Sequence, residues 1–211
     1  MGQVPDIYYN KIRYDLLNLL PTNISFEDVL DVGCGTGATG EGLKKNFCAK
    51  NIIGLEINPE YAKKAEKKID KVVINDADAN ELPFHTSQFD LILMGDILEH
   101  LIDPWITLAR YREFLKPGGI LLASIPNIQH WRTVLSLLLG KWEYSDLGIL
   151  DRTHLRFFTK ASVCELFTRA GFEISKIDFE IGLKGKIINI LTFGIFHNFV
   201  PFKFLILAYK E

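Results

Sequence analysis

Apolar residues recur along this chain in two alternating rhythms, short unbroken runs and stripes spaced through charged segments. Val29, Leu30 and Val32 form one such run and predict a buried strand over 29–32; similar runs predict strands over 51–56, 72–75, 89–94 and 120–124. Between them, charges interleaved with apolar positions predict helices over 39–46, 59–69 and 105–115. Farther on, a helix over 160–170 is expected to start on a Thr159 cap and stop at Gly171, followed by strands over 172–179 and 202–209. At the other end, Ile12, Leu16, Leu19 and Leu20 with charges between them describe an amphipathic helix over 7–20 that leads to Pro21. Strands alternating with helices imply a parallel sheet covered on both faces, with right-handed crossovers, and ligands in such sheets sit beyond the carboxyl ends of the strands. Residues 126–158 interrupt the alternation with a long polar and aromatic insertion.

Length and charge narrow this picture. With 211 residues the chain is expected to form a single domain, 1–211, with residues 1–25 as an N-terminal helical cover and 126–158 as an acceptor-binding insertion. A formal net charge of −2 and the lack of a long basic run remove the usual electrostatic footprint of a nucleic-acid binder, so no nucleic acid is expected. Cys34, Cys48 and Cys164 are scattered and without CxxC spacing, which argues for free thiols in a reducing compartment. No metal-ligand spacing stands out. The first ten residues lack a basic stretch leading into an apolar core, so a cytoplasmic location is expected. The apolar stretch 187–209 is broken by Asn189, Thr192, His197, Asn198, Pro201 and Lys203; it reads as a short packed helix, a turn at Pro201 and a final strand. Its aromatics, Phe193, Phe196, Phe199, Phe202 and Phe204, permit contact with a membrane surface or a partner. Oligomeric state is not legible.

Candidate chemistry begins where the first strand ends. Gly33, Gly35 and Gly37 lack the Cβ that would bar tight turning or close ligand approach, and the following helix aims its positive N-terminus at the same spot. Gly35-Thr36-Gly37-Ala38-Thr39-Gly40 also fits the glycine pattern of dinucleotide-binding folds, so an NAD-dependent oxidoreductase is the competing reading. Asp31 tips the balance, because a carboxylate at the strand's end would repel a pyrophosphate but suits an ammonium group. Glu56 closes the second apolar run, about twenty residues beyond the loop, where a carboxylate accepts hydrogen bonds from ribose hydroxyls.

Leu30-Asp31-Val32-Gly33-Cys34-Gly35-Thr36-Gly37 resembles the first motif of the class I S-adenosylmethionine-dependent methyltransferases. Three further segments are similar to that family in order and spacing: Asp78-Ala79-Asn80-Glu81-Leu82-Pro83-Phe84, the stretch 89–101, and Leu115-Lys116-Pro117-Gly118-Gly119, a turn whose glycines supply conformations other residues resist. The resemblance implies an α/β, Rossmann-like, doubly wound and mostly parallel seven-stranded sheet with an antiparallel last strand. It implies S-adenosyl-L-methionine as cofactor, with S-adenosyl-L-homocysteine as product. Asp31, Gly33, Cys34, Gly35, Gly37 and Glu56 would then line the cofactor, with Ile57 against the adenine face and Met94 and Asp96 on the rim. Asp78 would accept from adenine's exocyclic amine while the Ala79 N–H donates to the ring, although Asp76-Ala77 repeats the dipeptide and leaves the register open. Tyr8, Tyr9, Arg13 and Tyr14 are candidate contacts from the covering N-terminal segment.

Methyl transfer from a sulfonium is an in-line displacement, so the protein's main task is alignment. An acceptor hydroxyl must still lose its proton, which suits a histidine. His100, His130 and His154 are the candidates, and His85 and His197 look less useful. Arg152 and Arg156 flank His154 and either orient an anionic acceptor or pair with Asp151 to pin the insertion. Both ends of the insertion, including Asp151-Arg152-Thr153-His154-Leu155-Arg156-Phe157-Phe158, resemble a subgroup of small-molecule methyltransferases found with glycosyltransferases. That likeness implies O-methylation of a sugar-containing or related small-molecule acceptor. A cofactor-binding regulatory module without catalysis, and an enzyme acting on a lipid-linked acceptor, are the remaining alternatives.

Overall fold

The computed structural model describes residues 10–22, 24–180 and 197–211. Seven strands make one sheet: β1 (Phe26–Val32), β2 (Ala49–Glu56), β3 (Lys71–Ile74), β4 (Phe89–Gly95), β5 (Leu115–Pro126), β6 (Phe172–Glu180) and β7 (Lys203–Lys210), in the order β3-β2-β1-β4-β5-β7-β6. The pairings among β1 to β5 are parallel, and β7 runs antiparallel between β5 and β6. The fold class read from the sequence is therefore the one observed.

Period-two alternation sorts the strands' side chains onto two cores. Leu30, Val32, Ile92 and Met94 join Leu108, Tyr111, Phe158, Val163 and Phe167 on one face. Val29, Leu91 and Leu93 join Leu16, Leu17, Leu43 and Ile52 on the other. Each large aliphatic or aromatic group so buried contributes about 1.5–3 kcal/mol relative to exposure. The helices that cover the sheet are α1 (Tyr14–Leu17), α2 (Ala38–Asn46), α3 (Pro59–Ala65), α4 (Pro104–Phe114), α5 (Trp131–Leu138) and α6 (Lys160–Arg169), and a 3₁₀ turn, Leu98–His100, follows β4. Thr159 caps α6 as expected, with Ser162 returning the bond in a capping box. Among the described residues no helix is long and apolar enough to cross a membrane.

Several boundaries differ from the sequence reading. The helix expected over 7–20 is, in its described part, the single turn of α1 followed by tighter contacts from Leu19 N–H to Leu16 and from Leu20 N–H to Leu17; Ile7, Tyr8 and Tyr9 lie outside the described residues. The helix expected over 59–69 ends as α3 at Ala65, although Ile69 N–H still reaches the Ala65 carbonyl. Leu115 to Gly119, read as a turn, belongs to β5: Leu115 pairs with Phe89, and the register then shifts before Ile120 pairs with Leu91. Gly118 takes φ +71° within that irregularity. The insertion carries a helix, α5, that the apolar pattern did not single out. Fully buried Asn127 moors the insertion's base: its amide donates to the carbonyls of Asn198 and Pro201, both at 2.9 Å, and its side-chain oxygen accepts from Gln129 N–H. Most of the expected tail helix falls at 181–196, outside the described residues.

Candidate active site

The glycine loop leaves β1 under tight constraint. Gly33, Gly35 and Gly37 have φ of +68°, +54° and +74°, a region that residues with a Cβ resist. A Cβ on Gly33 would in addition lie 2.1 Å from Ile97 Cδ1. Gly33 and Cys34 N–H both donate to the Leu55 carbonyl, at 2.7 and 3.2 Å, which locks the loop to the end of β2. Glu56, 7% exposed, completes the lock: one carboxylate oxygen accepts from Gly35 N–H at 2.8 Å and the other from Asn58 N–H at 2.9 Å. Cys34 is buried in the loop and its thiol pKa is pushed up by burial, so it is a space-filling neighbour of Gly54, where an added Cβ would meet its Sγ at 2.5 Å.

Asp31 is the site's unbalanced charge. It is 5% exposed, and its Oδ2 has no hydrogen-bond partner among the described residues. Burial, then repulsion from Glu56, raises its pKa to about 7, with Arg13 pulling the other way. It lines a small recess of about 60 Å³ together with Arg13, Gly33, Thr39 and Gly95. A ligand cation in that recess would restore the missing partner, whereas a pyrophosphate there would add to the repulsion. The residues present therefore fit the ammonium of an amino-acid arm, and the sulfonium nucleoside that carries one.

Asp96, next along the rim, is already neutralised. It is held at φ +58°, and its carboxylate accepts from Arg13 Nη1 at 3.1 Å, from Lys203 Nζ and from Ser124 Oγ at 2.6 Å. Burial alone would raise its pKa, but Arg13 and Lys203 outweigh that and hold it at about 2. Arg13 thereby spans Asp31's recess and Asp96, which gives the N-terminal cover a defined contact; Tyr14 instead lies 46% exposed beside Asn46. Met94, expected on the rim, has its side chain buried in the core between sheet and helices, because it alternates with Leu93. Ile57 is 64% exposed just past Glu56, placed as a platform for a flat ring.

The adenine contacts expected of Asp78 and Ala79 are used elsewhere. Asp78 accepts from Ile102 N–H at 2.6 Å and from Thr107 Oγ1 at 2.8 Å, tying its loop to the start of α4, and Ala79 N–H donates to the Asp76 carbonyl at 3.1 Å. Asp76, nearer the end of β3, is the exposed carboxylate of the pair.

Beyond Asp96 the fold brings together residues that linear spacing does not connect. His154 from the insertion meets Glu99 and His100 of the 3₁₀ turn, with His154 Nε2 4.0 Å from Glu99 Oε1 and the two imidazole rings 4.8 Å apart at 75°. The main chain enforces this: Leu155 and Arg156 N–H both donate to the Glu99 carbonyl, at 2.8 and 3.0 Å. Glu99 is 1% exposed, neither carboxylate oxygen has a partner among the described residues, and burial followed by the nearby Asp96 charge raises its pKa well above the ordinary value. Burial and proximity to His154 lower the pKa of His100.

His130 stands apart from this trio. It lines an open cavity of about 800 Å³ in the insertion with Trp131, Arg132, Glu143, Ile149 and Phe202, and burial and then Arg132 lower its pKa. The arginines beside His154 do not pair with Asp151. Arg156 donates to the Ile102 carbonyl, Arg152 approaches Asp146 at 3.5 Å, and Asp151 holds the Thr153 backbone and hydroxyl. Glu99, Ser124 and Lys203 were given no role by sequence reasoning; a charge inside the apolar run Ile97-Leu98-Glu99 was the one visible signal.

The family model described as methyltransferase domain matches residues 7–177. A ubiquinone biosynthesis O-methyltransferase of Actinobacillus pleuropneumoniae is 30% identical over 127 residues, 56% of this chain and 53% of that protein. The enzyme of the same name from Azorhizobium caulinodans is 29% identical over 185 residues, 84% of this chain and 70% of that one. The chain thus spans between about half and seven-tenths of the length of these relatives. The crystal structure of a SAM-dependent methyltransferase from Archaeoglobus fulgidus superposes with a TM-score of 0.71 at 22% identity, covering 93% of this chain and 92% of that one. With the glycine loop, the orphaned Asp31 and these likenesses together, the chain belongs to the methyltransferase-domain family and has the fold of its S-adenosylmethionine-dependent members.

Proposed function

We propose that this protein transfers a methyl group from S-adenosylmethionine to an oxygen of a small, hydroxyl-bearing metabolite, sugar-containing or related. The observation that carries the reading is Asp31, a buried acid with an unpartnered oxygen above a glycine loop. Bound there, S-adenosylmethionine supplies an electrophilic methyl on a sulfonium. Asp31 takes the ammonium, the amides of the loop from Gly33 to Gly37 face the amino-acid arm, and Glu56 accepts from the ribose hydroxyls. Ile57 packs on the base, and Asp76 with Ala77, in place of Asp78 with Ala79, faces the adenine edge. The acceptor enters from the insertion side, where the cavity at Trp131 and Phe202 offers flat apolar walls with Arg132 and Glu143 as polar handles. His154, with Glu99 and His100 around it, receives the acceptor's proton. The oxygen acceptor is supported by the likeness to the two ubiquinone biosynthesis O-methyltransferases.

Calorimetric titration with S-adenosylmethionine and with NAD tests the cofactor, and binding of NAD alone would overturn the reading. A metabolite screen with labelled cofactor tests the acceptor. In it, His154→Ala is expected to lower turnover at least tenfold with cofactor affinity nearly unchanged. Release of no S-adenosylhomocysteine with any acceptor would favour a regulatory cofactor-binding module.

The exposed apolar side of α5 and the residues after it, Leu135, Leu138, Leu139, Trp142 and Tyr144, favours a second reading in which the acceptor is met at a membrane surface. Cosedimentation with anionic liposomes, lost in Leu138→Glu/Leu139→Glu, would support it, and absence of cosedimentation would remove it.

A further inference from the structure

We propose that Glu99, His100 and His154 hold a divalent transition-metal ion of the Zn²⁺ class, with a coordination position left open toward the acceptor. Four features on three residues converge. First, each imidazole has Nδ1 against a main-chain carbonyl, His100 on Thr153 at 3.2 Å and His154 on Ile149 at 2.9 Å. A carbonyl can only accept, so the ring proton sits on Nδ1 and the Nε2 lone pairs remain for a ligand. This is the outer contact that metal-bound histidines characteristically make.

Second, Glu99 offers a carboxylate that is 1% exposed and unpartnered at both oxygens among the described residues. A carboxylate in such a place is costly unless a cation or donors face it, and Arg13 and Lys203 are engaged at Asp96 instead. Third, the ligand atoms of the three residues all lie within 4.8 Å of one another. Bonds of about 2.0–2.2 Å to a central ion would draw each of them in by up to about 0.7 Å, within reach of side-chain rotation.

Fourth, the donor set selects the metal. Two neutral imidazoles with one carboxylate suit Zn²⁺, Fe²⁺ or Co²⁺ over Mg²⁺ or Ca²⁺, which take oxygen. Three protein ligands leave a site open, as metal sites that act on a bound oxygen do. An acceptor hydroxyl on that position would release its proton to water more readily, with His154 then serving as a metal ligand in place of the proton acceptor proposed above, and this part of the inference rests on the methyltransferase reading. Metal binding itself does not.

The test uses the full chain, stripped with chelator and dialysed. Titration with ZnCl₂ is expected to show one equivalent bound at micromolar affinity or tighter, and titration with CoCl₂ to develop visible absorption from nitrogen and oxygen coordination. His100→Asn and His154→Asn, which keep a polar side chain but remove the imidazole, should each weaken binding at least tenfold and together abolish the Co²⁺ spectrum. Circular dichroism and S-adenosylhomocysteine affinity, measured on the same samples, report the fold and the cofactor site separately. Binding that is absent from wild type, or equal in the double variant, overturns the metal site even if cofactor binding and methyl transfer are intact. Methyl transfer by the stripped protein at the full rate, with the metal site otherwise demonstrated, overturns the acceptor role of the open position. Metal binding without cofactor binding would leave the site standing and refute the methyltransferase reading.

Discussion

Replacing Asp31 by Asn should make the ligand-free protein more stable at alkaline pH while crippling its cofactor site. Asp31 ionises at about 7 in the fold against 3.8 for an ordinary aspartate, so between those values the folded chain holds a proton that the unfolded chain has released. Stability therefore falls as pH rises through that window, and the sign is opposite to that of a salt-bridged acid. At 1.36 kcal/mol per pKa unit, the wild type loses about 2.6 kcal/mol between pH 5 and pH 8 on account of this group, and almost nothing further at higher pH. The neutral amide is spared that loss, although its own buried polar atoms cost about 1–3 kcal/mol at every pH. Urea unfolding of ligand-free wild type and Asp31→Asn at pH 5 and pH 8 is the assay. The stability difference between the two proteins should move by about 2.6 kcal/mol in the variant's favour from the lower pH to the higher. Calorimetry at pH 8 should show S-adenosylhomocysteine bound at least tenfold more weakly by the variant, since the ammonium loses its counter-charge. Parallel stability curves for the two proteins would show that Asp31 is not strained by burial, and an unchanged affinity would remove it from the cofactor site.

Gly33→Ala combines φ +68° with a Cβ 2.1 Å from Ile97, so a loss of about 1–3 kcal/mol is expected in the unfolding free energy measured by urea titration, with weaker cofactor binding alongside. Asp96 behaves in the reverse sense to Asp31. Its pKa of about 2 lies below the ordinary 3.8, so its contribution is complete above about pH 5 and disappears progressively down to about pH 1, about 2–3 kcal/mol in all. Acid unfolding of Asp96→Asn should accordingly be shallower over that interval than that of the wild type, and equal slopes would count against the Arg13 and Lys203 pairing.

The parts of this molecule that sequence revealed are those governed by neighbours in the chain. Unbroken apolar runs mark β1, β2 and β4 because both faces of a parallel strand are covered, and the glycines of the loop sit where φ must be positive. Thr159 caps α6 through a residue three positions away. Long-range partners were not legible. Asp78 fitted the spacing to Leu82-Pro83-Phe84, yet its carboxylate is claimed by Ile102 and Thr107 from another element. The conversion of Leu115 to Gly119 from turn to strand depends on Phe89 lying alongside. α5 escaped notice because its leucines are largely exposed and do not form a core-facing stripe. Glu99 and His154 meet only because the insertion doubles back to pair its backbone with the Glu99 carbonyl.

The double grip of Glu56 on Gly35 and Asn58 has a bearing on speed as well as affinity. A loop already shaped by its own acid has no ordering to do when a nucleoside arrives, so capture should follow a single fast phase whose rate climbs in proportion to ligand concentration without levelling off. The ribose would meet a rigid rim in which each carboxylate oxygen keeps a second lone pair for it.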